Sequence, residues 1–164
     1  MGPTTHSGGA QAAVGSARQE LDRPRASEER EGRLAFPAPH PDERSRLVCV
    51  IDDDVSLLRA LRRLLDAGGF QVKTFSSAED FLDRPNPTPP GCLVLDVHLG
   101  GLSGFELLER LVAAGRRIPV VFITAHDDAA TRDRAHRAGA VEYLRKPFDD
   151  ESLIAGVNRA LGPA

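Results

Sequence analysis

From Arg46 onward, short apolar runs alternate with longer stretches in which leucines recur at helical spacing. The first run, Leu47 to Ile51, contains no charged residue, which is typical of a strand buried on both faces of a sheet. The next stretch, Val55 to Ala67, has leucines on one side and arginines on the other, and Gly68-Gly69 ends it. Strands and helices that alternate in this way favour a parallel sheet with helices on both faces.

The alternation continues to the C-terminus and predicts five strand–helix units, a (βα)5 doubly wound α/β fold with a five-stranded parallel sheet. The second strand is more polar than the first, so we place it at an edge of the sheet. Beyond the first unit, the predicted strands are Gln71 to Phe75, Cys92 to Leu95, Ile118 to Thr124 and Val141 to Arg145. The predicted helices are Ala78 to Leu82, Phe105 to Ala114, about Asp128 to Ala138 and Glu151 to Leu161.

Residues 1–45 have a different composition, rich in Gly, Pro, Ser, Ala and charges of both signs, with almost no periodic apolar pattern. Such a segment cannot bury enough apolar surface to offset the entropy that it would lose on ordering. We therefore predict a disordered N-terminal extension over 1–45 and one globular domain over 46–164. A passive extension, or a start codon placed too far upstream, is favoured over a partner-docking arm.

The composition excludes several classes of protein. Lys and Arg number 21 against 24 Asp and Glu, a net charge of −3, so no global basic field is available to attract nucleic acid. No apolar run reaches the roughly 20 residues that a membrane-spanning helix needs. The 2 cysteines cannot form a disulfide scaffold and indicate a reducing, cytoplasmic setting. We predict that Cys49 and Cys92 are buried small hydrophobes in neighbouring strands.

Polar residues stand at the carboxyl ends of four of the five predicted strands. In an open parallel sheet, binding and catalytic sites lie beyond these ends, where the strand order reverses. Each residue alone has a structural explanation, such as the capping of the first helix that we predict for Asp54. Their joint placement on one edge indicates a site. The residues are Asp52, Asp53 and Asp54 after the first strand, Asp96 after the third, Thr124 at the end of the fourth and Lys146 after the fifth.

The chemistry of this set is coherent. Carboxylates brought together repel one another and raise each other's pKa unless a cation lies among them. Oxygen ligands without a His/Cys cluster suit Mg²⁺. A lysine and a hydroxyl beside such an ion are the donors needed around a phosphoryl group, and one carboxylate can then act as the nucleophile and form an acyl phosphate.

These residues and their neighbours resemble the receiver domain of bacterial two-component response regulators, over about Arg46 to Leu161. The similarity is greatest to receivers that precede a helix-turn-helix output in transcription activators. It implies the flavodoxin-like strand order 2-1-3-4-5 and a cytoplasmic bacterial signalling protein. The matching motifs are Val50 to Asp54, Leu93 to Asp96 continuing to Gly101-Leu102-Ser103-Gly104, Val120 to His126, and Tyr143 to Phe148.

The resemblance implies a metal site and a phosphoacceptor. Asp96 matches the aspartate that accepts the phosphoryl group. Mg²⁺ (or Mn²⁺) would be held by Asp52, Asp53 and Asp96, with Asp53 the more direct ligand of the acidic pair, and by the backbone carbonyl of His98.

The resemblance also implies a switch. Lys146 would pair with the phosphoryl oxygens, aimed by a cis peptide before Pro147. Thr124 would move its hydroxyl onto the phosphoryl group, and Tyr143 would turn inward into the vacated space. Such a two-state element is what phosphorylation-dependent switching requires.

The function that follows is a single-domain response regulator, which takes a phosphoryl group from a sensor histidine kinase or a phosphotransfer protein and is a switch, not a turnover enzyme. Its output would be a downstream protein partner, or a phosphorylation-dependent homodimer, through the face formed by residues 127–145. Because only three residues follow Leu161, we expect a stand-alone receiver without direct contact to nucleic acid or membrane.

Three alternatives stay open. A small Mg²⁺-dependent aspartyl-phosphate phosphatase, similar to the haloacid dehalogenase group, uses the same residue types, but it needs a second aspartate where His98 stands. A protein-interaction module that has lost phosphorylation would not need the full acidic set with Lys146. A receiver fragment of a DNA-binding transcription regulator would continue beyond Ala164.

Other residues near the site are given structural interpretations. Gly100-Gly101 stands where similar receivers carry Pro-Gly, which predicts a looser loop beside the site. His126 is interpreted as a loop side chain, with modulation of water access as a secondary hypothesis. The arginines of the first and fourth helices are predicted to form solvated faces; they are Arg59, Arg62, Arg63, Arg132, Arg134 and Arg137.

Overall fold

The computed structural model describes Gly2 and residues 45–84 and 86–162. The predicted disorder of residues 1–45 concerns a segment that lies outside the described residues, apart from Gly2 and Ser45. Five strands and five helices alternate along the described part of the chain. The strands are β1 (Leu47–Ile51), β2 (Gln71–Phe75), β3 (Cys92–Asp96), β4 (Val120–Thr124) and β5 (Glu142–Arg145). The helices are α1 (Val55–Ala67), α2 (Ala78–Asp83), α3 (Gly104–Ala113), α4 (Ala129–Arg137) and α5 (Asp150–Leu161).

The strands form one parallel sheet in the order β2-β1-β3-β4-β5, which confirms the predicted fold and strand order. The edge position predicted for β2 is also confirmed. Ile51 pairs with Leu95 across β1 and β3, and Thr124 pairs with Arg145 across β4 and β5. The strand order reverses between β1 and β3, so the residues that follow these two strands lie at the switch point of the sheet.

The three central strands are buried along their whole length because helices cover both faces of the sheet. Alternate side chains of each strand point to opposite faces and join two separate apolar clusters. One cluster contains Leu95 and Phe122 with residues of α2, α3 and α4, and the other contains Val50 and Val94 with residues of α1 and α5. Burial of each large apolar side chain stabilises the fold by about 1.5–3 kcal/mol. Because both faces of these strands are buried, their sequences are continuous apolar runs.

Each helix begins after a side chain that accepts hydrogen bonds from its first turn. Asp54 accepts from the amides of Ser56 and Leu57, which confirms its predicted capping role. Ser103 accepts from the amide of Glu106, and the Ser103 amide in turn donates to the Glu106 carboxylate, which makes a complete capping box. The remaining caps are Ser77, Asp128 and Asp149.

The element boundaries differ from the prediction by one or two residues, and the largest difference is in β4. The predicted strand began at Ile118, but β4 begins at Val120, since Pro119 has no amide hydrogen to donate to a neighbouring strand. The predicted β5 likewise loses Val141 and begins at Glu142. In the described ranges, no helix has both the length and the hydropathy needed to cross a membrane.

Candidate functional site

Three carboxylates meet at the switch point of the sheet. Asp52 and Asp53 follow β1, and Asp96 is the last residue of β3. One carboxylate oxygen of each lies within 4.8 Å of the others. The parallel pairing of β1 with β3 places these residues together, although a long stretch of sequence separates them. They form an acidic cluster that could bind a metal ion.

Lys146 brings a positive charge to the acidic cluster. Its Nζ lies 2.6 Å from Oδ2 of Asp52 and 3.2 Å from Oδ2 of Asp96. The Lys146 amide donates to the Thr124 carbonyl at 2.8 Å, which extends the pairing of β5 with β4 as far as the site. The peptide between Lys146 and Pro147 is cis. The lysine is thus held by its backbone while its ammonium group joins two carboxylates.

The cluster combines burial with excess negative charge. Asp52 is 0% exposed and Asp96 is 4% exposed, whereas Asp53 is exposed. Burial, followed by the charge of Asp52, raises the pKa of Asp96, and the bonds from the His98 amide and Lys146 offset this only in part. Burial lowers the pKa of Lys146, but its bonds to Asp52 and the charge of Asp96 outweigh burial and leave that pKa raised. One lysine therefore does not neutralise the cluster, and a hard divalent cation fits the remaining oxygen donors.

Backbone amides orient two of the carboxylates, a feature that the sequence pattern did not reveal. The Asp54 amide donates to Oδ1 of Asp52 at 2.9 Å, and the His98 amide donates to Oδ1 of Asp96 at 3.1 Å. In each case the donor is two residues beyond the aspartate, as in Asx turns. Oδ2 of each aspartate faces Lys146 instead. The sequence signal for this is only an aspartate that ends a buried strand, which is too common to be specific.

The Thr124 hydroxyl is buried and forms hydrogen bonds within its own turn. It donates to the His126 carbonyl at 3.0 Å and accepts from the His126 amide at 3.1 Å. It hydrogen-bonds to neither Asp96 nor Lys146. The structure thus places Thr124 at the predicted edge, with its hydroxyl turned toward the segment that precedes α4.

Tyr143 of β5 lies beside the same segment. Its hydroxyl is buried and has no hydrogen-bond partner in the described chain, and the same holds for Oδ1 of Asp127. Burial and the Asp127 carboxylate raise the pKa of Tyr143. The other oxygen of Asp127 pairs with Arg132 of α4. The Tyr143 ring is half-buried, and its hydroxyl lies near the Asp127 carboxylate without a hydrogen bond of good geometry among the described residues.

Two histidines lie beside the acidic cluster. The rings of His98 and His126 meet edge to face, with centroids 5.1 Å apart, and both side chains are exposed. This agrees with the interpretation of His126 as a loop side chain. The two cysteines are buried and free, and burial raises the pKa of Cys49 to about 11 and that of Cys92 to about 12. They belong to clusters on opposite faces of the sheet, so they cannot pair with each other.

The arginines of α1 and α4 lie on solvated faces, as predicted. On α4, Arg132 pairs with Asp127, Arg134 with Glu109 and Arg137 with Asp133. Exposed pairs of this kind contribute little to stability. One residue near the site was missed entirely from the sequence: Glu79 of α2, whose carboxylate bonds to the loop after β3. No local pattern marks that contact.

Comparison with known proteins identifies the family. The model for the response regulator receiver domain matches residues 48–158. The chain is 38% identical over 122 residues to the response regulator protein TodT of Pseudomonas putida, covering 74% of this chain and 54% of TodT. It is 43% identical over 115 residues to the transcriptional regulatory protein FixJ of Azorhizobium caulinodans, covering 70% of this chain and 54% of FixJ. The chain thus spans about half the length of these curated relatives.

A solved structure supports the same family. A response regulator receiver protein from Burkholderia phymatum is 49% identical and superposes with a TM-score of 0.63, covering 72% of this chain and 96% of that one. The family match, the sheet order and the acidic cluster at the switch point agree with one another. The chain therefore belongs to the response regulator receiver domain family, whose members act as signalling switches.

Proposed function

We propose that Asp96 accepts a phosphoryl group from a histidine kinase or a phosphotransfer protein, and that the chain acts as a phosphorylation-dependent switch and not as a turnover enzyme. The observation that carries this proposal is the position of Asp96. Its carboxylate ends a buried strand, shares Lys146 with Asp52, and has one oxygen within 4.8 Å of an oxygen of both Asp52 and Asp53. A structural ion pair would need only one carboxylate for the single lysine.

In the proposed transfer, a carboxylate oxygen of Asp96 forms a bond to phosphorus while the bond from phosphorus to the donor's histidine nitrogen breaks. The leaving imidazole keeps the electron pair and takes a proton from water. Lys146, already 3.2 Å from Asp96, lies where it can pair with the oxygens of the incoming group. The His98 amide holds one oxygen of Asp96 and so limits rotation of the carboxylate.

The site also fits a divalent ion. Asp52, Asp53 and Asp96 would hold Mg²⁺ or Mn²⁺, together with the carbonyl of His98. When bound, the ion supplies positive charge that offsets the repulsion among the carboxylates and the phosphoryl oxygens. Asp96 must be ionised to attack phosphorus, whereas burial and, second, the charge of Asp52 raise its pKa. A bound cation would favour the ionised form.

The output of the switch begins at Thr124. Its hydroxyl is bonded to the His126 backbone, and bonding to a phosphoryl group would draw it away. Tyr143 and Asp127, which both carry an unpartnered buried atom, lie next to the segment that would then rearrange. A downstream protein or a second copy of the chain would recognise the changed face formed by residues 127–145.

The first experiment tests acceptance of the phosphoryl group. The full chain is incubated with Mg²⁺ and radiolabelled acetyl phosphate, and acid-stable, base-labile label is measured. Asp96→Asn should abolish labelling, because an amide is not a nucleophile here. Asp66→Asn, which alters an exposed helix residue, should label like the wild type. Undiminished labelling of Asp96→Asn would overturn the assignment.

The second experiment tests the switch. Beryllofluoride with Mg²⁺ mimics an acyl phosphate, and NMR signals report on each backbone amide. We expect shifts at the site and along residues 127–145 in the wild type, and only the local shifts in Thr124→Ala. Shifts that extend equally far in both proteins would show that Thr124 does not transmit the change.

A further inference from the structure

The loop between β3 and α3, residues 97–103, contains two consecutive glycines, Gly100 and Gly101. Glycines permit many backbone conformations, so a loop built around them loses more entropy when it is ordered. The loop also contains His98, whose carbonyl the proposed function assigns to the metal ion. The position of this carbonyl therefore depends on whatever restrains the loop.

Glu79 of α2 provides one such restraint. The Leu102 amide donates to its Oε1 at 2.8 Å. This bond is the largest cause of a lowered pKa at Glu79, so the side chain is a carboxylate at neutral pH and the bond is charge-assisted. A Cβ at Gly101 would lie within 2.4 Å of the same oxygen. Gly101 thus leaves the space in which the carboxylate lies against the loop.

The other hydrogen bonds of the loop are local. The Gly104 amide closes it by donating to the Val97 carbonyl at 3.0 Å, and the Val97 amide donates to Ile123 of β4. At the other end, Ser103 and Glu106 form the capping box of α3. The elements that flank the loop also contribute side chains, since Asp96 accepts from the His98 amide and Glu106 from the Ser103 amide. Among the described residues, Glu79 is the one side chain from an element that does not adjoin the loop in sequence and that hydrogen-bonds to its backbone. It holds the glycine-rich part, which lies between the two well-bonded ends.

We propose that Glu79 is a positioning residue for the metal site: by holding Leu102, it restricts the conformations of the loop that carries His98. The inference rests on the proposed function, which assigns the His98 carbonyl to Mg²⁺ or Mn²⁺. Glu79 itself does not touch the ion. Its contribution is to lower the entropy that the loop loses when the ion binds.

The test measures binding of Mn²⁺ to the full chain, without any phosphodonor, by the electron paramagnetic resonance signal of the free ion. Glu79→Ala should weaken Mn²⁺ binding about three- to tenfold, at or below the low end of the range for groups that orient metal ligands. Glu79→Gln keeps an oxygen acceptor for Leu102 and should restore most of the affinity. Asp83→Ala removes an exposed carboxylate from the same helix, and it should bind like the wild type.

A second readout follows the contact directly. Amide hydrogen exchange at Leu102 should be faster in Glu79→Ala than in the wild type, Glu79→Gln or Asp83→Ala, while the melting temperatures stay similar. Unchanged exchange in Glu79→Ala would overturn the proposal, and so would faster exchange with unchanged Mn²⁺ affinity. Equal weakening in Glu79→Gln and Glu79→Ala would mean that the charge acts through space, which also contradicts it.

These results are distinguishable from a failure of the proposed function. If the wild type takes up label from acetyl phosphate and binds Mn²⁺, the proposed function stands whatever Glu79→Ala does. If the wild type binds no Mn²⁺, the metal site and the positioning role of Glu79 are both wrong.

Discussion

Gly104 contacts the strand that carries Asp96 so closely that a Cβ on it would lie 2.3 Å from the Asp96 carbonyl oxygen and 3.2 Å from the Leu95 side chain. Gly104 is the first residue of α3, and Asp96 is the last of β3. Because Gly104 has no side chain, α3 can approach the end of β3 this closely. The conformation of the backbone that carries the proposed phosphoacceptor depends on this contact.

Replacement of Gly104 by alanine should lower the free energy of unfolding by about 1–3 kcal/mol, because the added methyl group must displace backbone and not a mobile side chain. Urea denaturation measures the loss. Gly100→Ala is a matched control, since a Cβ there has nothing within 4 Å, and its stability should be unchanged or slightly higher. Equal stabilities of the two variants would contradict the close contact.

Divalent ions should stabilise the chain through Asp53. A ligand that binds only the folded state adds about 2.7 kcal/mol at a concentration 100 times its dissociation constant. We expect Mg²⁺ to raise the melting temperature of the wild type but to have a much smaller effect on Asp53→Asn, which removes an exposed member of the acidic cluster. Calorimetry with and without Mg²⁺ measures this. Asp66→Asn serves as the control, and an equal Mg²⁺ effect on all three proteins would argue against a site at Asp53.

Tyr143→Phe should leave the stability unchanged or raise it by up to about 1 kcal/mol. Its hydroxyl is buried without a hydrogen-bond partner in the part of the chain described, so its removal relieves a desolvation cost without breaking a bond. Chemical denaturation measures the difference. A loss of more than about 1 kcal/mol would show that the hydroxyl has a stabilising partner after all.

The thiols of Cys49 and Cys92 should be unreactive in the folded chain. Their pKa values of about 11 and about 12 leave roughly one thiolate in a thousand or fewer at pH 8, and both side chains are 0% exposed. Raising the pH increases the thiolate fraction, so any slow reaction should accelerate steadily up to these values. An Ellman assay should detect both thiols in denaturant and neither in the native protein at pH 8. Rapid native reaction would contradict their burial.

Much of this fold could be predicted because a buried parallel strand appears in the sequence as a continuous apolar run. The first polar residues after the run mark the end of the strand. Asp52 after β1 and Asp96 at the end of β3 are visible for that reason, and the parallel pairing of these strands brings them together. Thr124 and Lys146 follow from the same rule at β4 and β5. Element ends were less predictable, as at Pro119, where a missing amide hydrogen shortens β4 by two residues.

The contacts that could not be predicted join elements that are separate in the sequence, and no regular spacing of residue types indicates them. In the sequence, nothing distinguishes Glu79 from other helix residues. Its contact is visible only in the structure, where α2 lies beside the loop that contains Leu102. The unpartnered atoms of Tyr143 and Asp127 depend on how β5 and the start of α4 pack, which hydrophobic periodicity does not encode. Such contacts are set by tertiary geometry.

The bonds of Thr124 have one more implication. A single oxygen both donates to the carbonyl of His126 and accepts from its amide, so both backbone groups lose their partner at the same moment when that oxygen rotates. If the phosphoryl group draws this oxygen away as proposed, we therefore expect the turn ahead of α4 to rearrange in a single step and not gradually.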